Sequence, residues 1–175
     1  VVMMKGYVQV YTGNGKGKTT AALGLAVRAL GNGFSVYIGQ FMKGQEYHEL
    51  KTFEKLDNID VEMYGTDTCL ISREHVQQCD IDHAKAGVEK VKEIFKSKKY
   101  QVVILDEICV ANFFGLVSEE EILDLMENKP EDVELVLTGR YAPKSVIDKA
   151  DLVTEMKEIK HYYSKGVMSR DGIER

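Results

Sequence analysis

Residues 12–20, TGNGKGKTT, combine three glycines, two lysines and a run of hydroxyl residues. Glycines in a loop between a strand and a helix allow successive backbone N–H groups to point at one centre, and the start of the helix adds the positive end of its dipole. Such a loop binds an anion. Lys18 would add an ammonium group for the outer phosphates of a nucleotide, and Thr19 would offer its hydroxyl to a bridging magnesium ion. The segment therefore predicts a polyphosphate-binding loop.

The match to the pattern G-x-x-x-x-G-K-[ST] has one departure, because Thr12 stands at the position of the first glycine. Gly13 and Gly15 are the candidates that would carry the turn instead. An ordinary glycine-rich loop without a ligand is the alternative interpretation. We favour the phosphate loop because an apolar run precedes it, a helical pattern follows it, and the sequence GKT completes its second half.

The sequence VVILDE is the second candidate element of the site, and it ends in Asp106 and Glu107. A phosphate loop needs a carboxylate to hold the metal, and ligands of parallel sheets gather at the carboxyl ends of the strands. The run resembles a Walker B sequence, although an apolar strand that ends in two acids is also common without such a role. Residues after two other apolar runs are candidates for the mouth of the same site, or are simply strand ends. These are Gln40, Phe41 and Lys43 after the second run, and Thr138, Gly139 and Arg140 after the fifth.

Six apolar runs must position these residues. They cover residues 7–11, 35–41, 60–64, 101–105, 134–138 and 152–156. Longer segments with helical periodicity separate the runs, which is typical of a parallel sheet with crossover helices. We expect a single α/β, doubly wound, P-loop nucleotide-binding domain over residues 1–175.

Two helix starts are predicted from polar residues. Ser118 followed by Glu121 indicates a capping box for a helix over residues 119–128. Asp80 and Asp82 are expected to cap a long helix that runs to Lys98.

Composition limits the kinds of partner. The chain has 175 residues, a formal net charge of −5 and no apolar run near the length of roughly 20 residues that spans a bilayer. A sequence-independent grip on nucleic acid needs a basic surface, so we expect neither a nucleic-acid nor a membrane partner. Three cysteines without a C-x-x-C pair favour neither a disulfide framework nor a zinc site. We expect a cytoplasmic protein.

Longer motifs resemble those of the P-loop type ATP:corrinoid adenosyltransferases. They are TGNGKGKTTAALGLAVRALGNG, QFMKG, VVILDE, LTGRYAPKSVIDKADLVTEMKEIKH and the final GIE, and they extend over nearly the whole chain. The resemblance implies a RecA-like, mainly parallel six-stranded sheet with helices on both faces, and a homodimer. It also implies transfer of the 5′-deoxyadenosyl group of MgATP to the cobalt of a reduced corrinoid, either cobalamin or a precursor, with release of triphosphate. A flavoprotein would supply the reducing electron.

The same resemblance implies roles for individual residues. It makes Thr19 and Glu107 ligands of Mg²⁺, with Asp106 as a further candidate. Lys18 joins Thr19 and Glu107 as the residues that would act in catalysis. Arg28, on the first helix, is implied as a further ATP contact. The phosphate contacts are assigned to Asn14, Gly15, Lys16, Gly17, Lys18, Thr19 and Thr20, with Gly13 in the turn before them.

One stretch departs from the family pattern. Members often carry an aromatic pair in a segment like GTGFTW, which is thought to displace the lower ligand of the corrinoid, whereas this chain has GTDTCL at residues 65–70. Leu70, Phe113 or Phe114 would have to shield that face of the corrinoid instead.

Two other functions remain as alternatives. One is a P-loop phosphotransferase or NTPase, in which Arg140 would supply the charge near the γ-phosphate. The other is a non-catalytic, nucleotide-dependent corrinoid carrier or regulator. The extent of the resemblance favours adenosyl transfer over both.

Overall fold

The computed structural model describes residues 4–44, 48–67 and 72–175. Its strands are β1 (Val8–Thr12), β2 (Val36–Phe41), β3 (Ile59–Tyr64), β4 (Val102–Asp106), β5 (Glu134–Thr138) and β6 (Leu152–Glu155). They form one sheet in the order β3-β2-β4-β5-β1-β6, and every pair of neighbours is parallel. The predicted α/β class and parallel sheet are confirmed.

Each predicted apolar run forms a strand, and the ends differ from the prediction by at most one residue. The reason is clearest in β4, where all five residues are buried. A strand covered on both faces is a continuous run of apolar residues, and such a run can be recognised from the amino-acid sequence alone.

Helices cover both faces of the sheet. They are α1 (Lys18–Gly31), α2 (His48–Phe53), α3 (Gln78–Ser97), α4 (Ile108–Phe113), α5 (Glu119–Glu127) and α6 (Lys144–Lys149). The sheet has a hydrophobic core on each face, and alternate residues of β4 face one core or the other. Val103 and Leu105 pack with α3 to α6, whereas Val102 and Ile104 pack with α1 and α2. No helix of the described residues is both long enough and apolar enough to pass through a bilayer.

The predicted helix starts have different outcomes. The capping box of α5 is confirmed, since Ser118 Oγ accepts from the Glu121 N–H and Glu121 accepts from the Ser118 N–H. The prediction for α3 is wrong in position. Gln77 is the N-cap, and Asp80 lies in the first turn, where its carboxylate accepts from the Gln77 N–H and from the Thr66 hydroxyl.

Strand order places β5 between β1 and β4. The phosphate loop follows β1 and the two acids follow β4, so the residue that ends β5 must lie between them. That residue is Thr138, which pairs with Tyr11 of β1. The carboxyl ends of these three strands meet at one edge of the sheet, where the sequence predicted the site.

Candidate functional site

Residues 13–17 form a tight loop between β1 and α1. Gly13 and Gly17 have positive φ angles of 100° and 117°, which glycine adopts without steric cost. The segment after β6 supports the loop, because the Gly15 N–H donates to the Met156 carbonyl at 2.7 Å. A Cβ atom at Gly13 or Gly15 would lie 2.4 or 2.8 Å from that carbonyl oxygen. Glycine is therefore required here by backbone angles and by close packing.

Lys18 is the first residue of α1 and is buried. Its Nζ donates to the carbonyl oxygen of Gly15 at 2.7 Å, so the ammonium group lies within its own loop. Burial lowers the pKa of Lys18, and the positive charge of Arg140 lowers it further. A bound polyanion would favour the charged form of this lysine, which is the electrostatic property expected of a phosphate site.

Asp106 is the centre of a buried hydrogen-bond network and has 0% exposure. Its Oδ1 accepts from the hydroxyls of Thr19 at 2.8 Å and Thr138 at 2.7 Å. Its Oδ2 forms an ion pair with Lys43 at 2.8 Å. Burial alone would lower the pKa of Lys43, but the charge and hydrogen bond of Asp106 raise it. Both carboxylate oxygens are thus engaged by the protein, and one of these contacts orients Thr19.

Glu107 follows Asp106 in a left-handed conformation, with φ at 61°, and precedes α4. Its N–H donates to the Thr138 hydroxyl at 3.0 Å, which links it to the Asp106 network. Burial raises the pKa of Glu107, and the neighbouring negative charge of Asp106 raises it further. A cation at this position would therefore stabilise the ionised carboxylate.

A cleft of about 600 Å³ opens above these residues. Part of its lining, the polar wall, consists of residues 16–20 and Glu107, and another part, the aromatic wall, carries Phe113, Phe114 and Tyr141. In the aromatic wall the rings of Phe113 and Tyr141 stack with centroids 4.2 Å apart, and the guanidinium of Arg73 lies 5.0 Å from the centre of the Phe113 ring. The full lining comprises Lys16, Gly17, Lys18, Thr19, Thr20, Glu107, Val110, Phe113, Phe114, Arg140, Tyr141, Ile173 and Glu174.

The turn after β5 supplies part of the aromatic wall. Gly139 and Tyr141 have φ angles of 134° and 62°. A Cβ atom at Gly139 would lie 3.0 Å from Cβ of Cys109 in α4, so the turn approaches α4 closely. This approach explains how Tyr141, beyond β5, reaches Phe113, at the end of α4.

The structure brings most of the predicted site residues together. Lys16, Gly17, Lys18, Thr19, Thr20 and Glu107 line the cleft, and Asp106 lies beneath it. Gly13, Asn14 and Gly15 belong to the same loop but do not line this cleft.

One predicted residue of the described part of the chain lies apart from that group. Arg28 is exposed in the last turn of α1 and is not part of the cleft lining; ten residues of helix correspond to roughly 15 Å. Leu70 lies outside the described residues.

Four residues that line the cleft were not predicted individually from the sequence. They are Val110, Tyr141, Ile173 and Glu174. The final GIE motif was the only sequence signal for the last two, because nothing in their types indicates that the end of the chain returns to β1 and β4.

Comparison with known proteins gives a consistent result. Residues 4–175 match the model of the family described as ATP:corrinoid adenosyltransferase BtuR/CobO/CobP. The corrinoid adenosyltransferase of a Sinorhizobium species is 34% identical over 172 residues, which cover 97% of this chain and 80% of that protein. The corrinoid adenosyltransferases of Pseudomonas aeruginosa and Escherichia coli K12 are 31% and 28% identical over 170 residues, which cover 97% of this chain and 84% and 86% of theirs. The chain therefore belongs to the ATP:corrinoid adenosyltransferase family.

Proposed function

We propose that this protein transfers the 5′-deoxyadenosyl group of ATP to the cobalt of a reduced corrinoid. The single observation that carries the proposal is a cleft with a phosphate loop on one wall and stacked aromatic rings on the other, in a chain of this family. The cobalt–C5′ bond forms as the C5′–O bond breaks, and the bonding electron pair of the latter leaves on triphosphate. A cobalt(I) corrinoid is itself the nucleophile, so the protein needs no activated side chain for the attack.

The polar wall binds the triphosphate and offsets the charge that gathers on it as it leaves. Backbone N–H groups of the loop and the ammonium of Lys18 serve this role, and Lys16 and Arg140 add positive charge to the same cleft. Groups that are already oriented toward a developing charge lower the barrier more than mobile water does.

The residues of the polar wall also fit a magnesium ion. Thr19 and Glu107 present oxygen donors to the cleft, and Asp106 orients the Thr19 hydroxyl. Within the described ranges no three His, Cys, Asp or Glu side chains form a metal-binding group, but Mg²⁺ is commonly held by one or two carboxylates together with substrate phosphates. When bound, Mg²⁺ would neutralise part of the phosphate charge.

The aromatic wall is proposed as the corrinoid side of the cleft. Phe113 and Tyr141 are 37% and 52% exposed and present a broad apolar surface. A large macrocycle with an apolar face would bury that surface, which is favourable in proportion to the area removed from water. This assignment gives Phe113, with Phe114 beside it, the shielding role for which Leu70 was the other candidate.

Other parts of the proposal concern assembly and context. A homodimer is supported by apolar side chains on the last third of the chain, where Leu152 and Val153 lie exposed on the edge strand and Ile159 is 91% exposed. A flavoprotein reductant and an ATP contact of Arg28 are proposed from the family resemblance alone, and a cytoplasmic location is proposed from the cysteine usage.

Product analysis tests the proposed reaction. The protein is incubated with MgATP and a chemically reduced corrinoid, and the absorbance is followed for a cobalt–carbon bond that is lost on illumination. We expect one triphosphate per adenosylated corrinoid. ADP or free phosphate as the first product would contradict adenosyl transfer and would support phosphoryl transfer instead.

A further inference from the structure

Gln40 is an anomaly in the core next to the site. It has 0% exposure, and neither its amide nitrogen nor its amide oxygen has a hydrogen-bond partner within the described part of the chain. Buried polar groups in folded proteins are nearly always paired, because an unpaired one loses its bonds to water without replacement. The amide therefore needs a partner that the described residues do not supply.

The position of Gln40 indicates where that partner lies. Gln40 is near the carboxyl end of β2, and its register partner on β4 is Asp106. Side chains alternate along a strand, so Gln40 lies on the same face as Ile38, which packs against α1 and α2. Neighbouring strands are separated by about 4.8 Å. Gln40 thus lies on the same face of the sheet as its strand neighbour Asp106, whose carboxylate orients Thr19 at the start of α1.

The charged groups next to Gln40 connect it to the cleft. Asp106, its strand neighbour, bonds on one side to Thr19, which lines the cleft, and on the other to Lys43. Lys43 and Thr19 also line an adjoining cavity of about 560 Å³. Gln40 itself lines neither cavity, so water or ligand atoms would reach its amide by way of the network that Asp106 forms with Thr19 and Lys43.

We propose that Gln40 is a ligand-binding residue whose amide obtains its hydrogen bonds from the hydrated magnesium–triphosphate part of ATP, directly or through one water molecule. An amide offers one acceptor and two donors, and this ligand offers the complement, namely the O–H donors of bound water and phosphate oxygen acceptors. The inference rests on the proposed nucleotide site and assigns it a residue from a strand that carries no phosphate-loop motif.

The test is the substitution Gln40→Leu, studied without corrinoid. Leucine has a similar volume and removes the polar atoms, so the protein without nucleotide should unfold at the same temperature as the wild type or at a higher one. Affinity for MgATP, measured by titration calorimetry, should fall about tenfold, because hydrogen bonds to charged ligands are the stronger kind. Mg-tripolyphosphate should show the same loss.

The matched control is Ile38→Val, two residues earlier on the same face of β2. It should lower the unfolding temperature by removing a buried methylene and leave MgATP affinity unchanged. Gln40→Met, a second apolar replacement, should reproduce the result of Gln40→Leu.

Three results would overturn the inference. A Gln40→Leu protein that is less stable without ligand would mean that the amide has partners before ATP binds, as a structural water would provide. Unchanged MgATP affinity would mean that the amide does not face the ligand. A loss confined to ATP and absent with Mg-tripolyphosphate would place the contact at the nucleoside. If the wild-type protein itself fails to bind MgATP, the proposed nucleotide site fails first.

Discussion

At the residue scale, Lys18 places a buried ammonium group in the lining of the cleft. Among the described residues its Nζ donates to the carbonyl of Gly15, and burial lowers its pKa. Burial of the ammonium group costs free energy, and phosphate oxygens in place of the Gly15 carbonyl would offset this cost. Lys18 is therefore expected to contribute more to catalysis than an exposed lysine of the same chain.

We expect Lys18→Ala to lower kcat/KM for ATP between about tenfold and a hundredfold. A charge-assisted hydrogen bond contributes roughly 1.5 to 3 kcal/mol, and each 1.4 kcal/mol corresponds to a factor of ten. The measurement is the initial rate of adenosylation at subsaturating ATP. Lys85→Ala, at an exposed position of α3, is the control and should retain the wild-type rate. An unchanged rate in Lys18→Ala would contradict the role of the loop.

Glu107 leads to a second prediction, because its carboxylate is partly buried next to another negative charge. Glu107→Gln keeps the size of the side chain and removes its charge. If this carboxylate holds the ion, the magnesium concentration for half-maximal rate should rise about tenfold. The estimate takes the lost contact to be as strong as a hydrogen bond to a charged group. Glu120→Gln, in the exposed first turn of α5, should leave the requirement unchanged. An identical magnesium titration for Glu107→Gln would show that other groups hold the ion.

At the element scale, the phosphate loop has its shape because β6 and the residues after it pack against it. The Gly15 N–H donates a hydrogen bond to this segment. Because Gly15 has no side chain, the segment can also approach it closely. The segment LVTEMK, far away in sequence, therefore belongs to the nucleotide site as a support.

Gly15→Ala should consequently lower both stability and nucleotide affinity. The added Cβ would lie 2.8 Å from the Met156 carbonyl oxygen and 2.9 Å from the Lys157 carbonyl carbon, so the backbone of the loop or of the segment must move. The control is Gly24→Ala in the middle of α1, where no atom lies within 4 Å of the new Cβ. That substitution should stabilise the protein by about 0.5 to 1 kcal/mol through helix propensity. Thermal unfolding with and without MgATP distinguishes the two variants, and equal behaviour would contradict the packing argument.

Much of the fold was predictable from the sequence because its signals are local. Buried strands are continuous apolar runs, and the capping box at Ser118 lies within four residues. The start of α3 was misplaced because aspartate is a commoner N-cap than glutamine, whereas here Asp80 lies in the first turn and accepts from the N–H of the N-cap Gln77. The ion pair of Lys43 with Asp106 could not be predicted from local signals, because it joins residues 63 positions apart. Residue types predicted that both lie at the edge of the sheet, but not that they meet.

At the scale of the whole molecule, the two walls of the cleft come from different parts of the sheet. The phosphate loop follows β1, whereas α4 and the turn after β5 carry the aromatic rings. Thr138 lies between them and links the Asp106 carboxylate to the Glu107 backbone. The two walls are therefore built from different elements that are held together through Thr138. A substitution on one wall can leave binding at the other wall intact.

This separation predicts opposite substrate effects for substitutions on the two walls. Phe113→Ala removes a ring that stacks on Tyr141 and should raise KM for the corrinoid about tenfold, since burial of an aromatic side chain contributes roughly 1.5 to 3 kcal/mol. Its MgATP affinity, measured by calorimetry, should equal that of the wild type. Lys18→Ala should show the reverse pattern. Tyr7→Ala, which removes an exposed ring before β1 at the opposite edge of the sheet, should change neither substrate constant. If Phe113→Ala weakens MgATP binding and spares the corrinoid, the rings serve the adenine base, and the proposed orientation of the two substrates in the cleft is wrong.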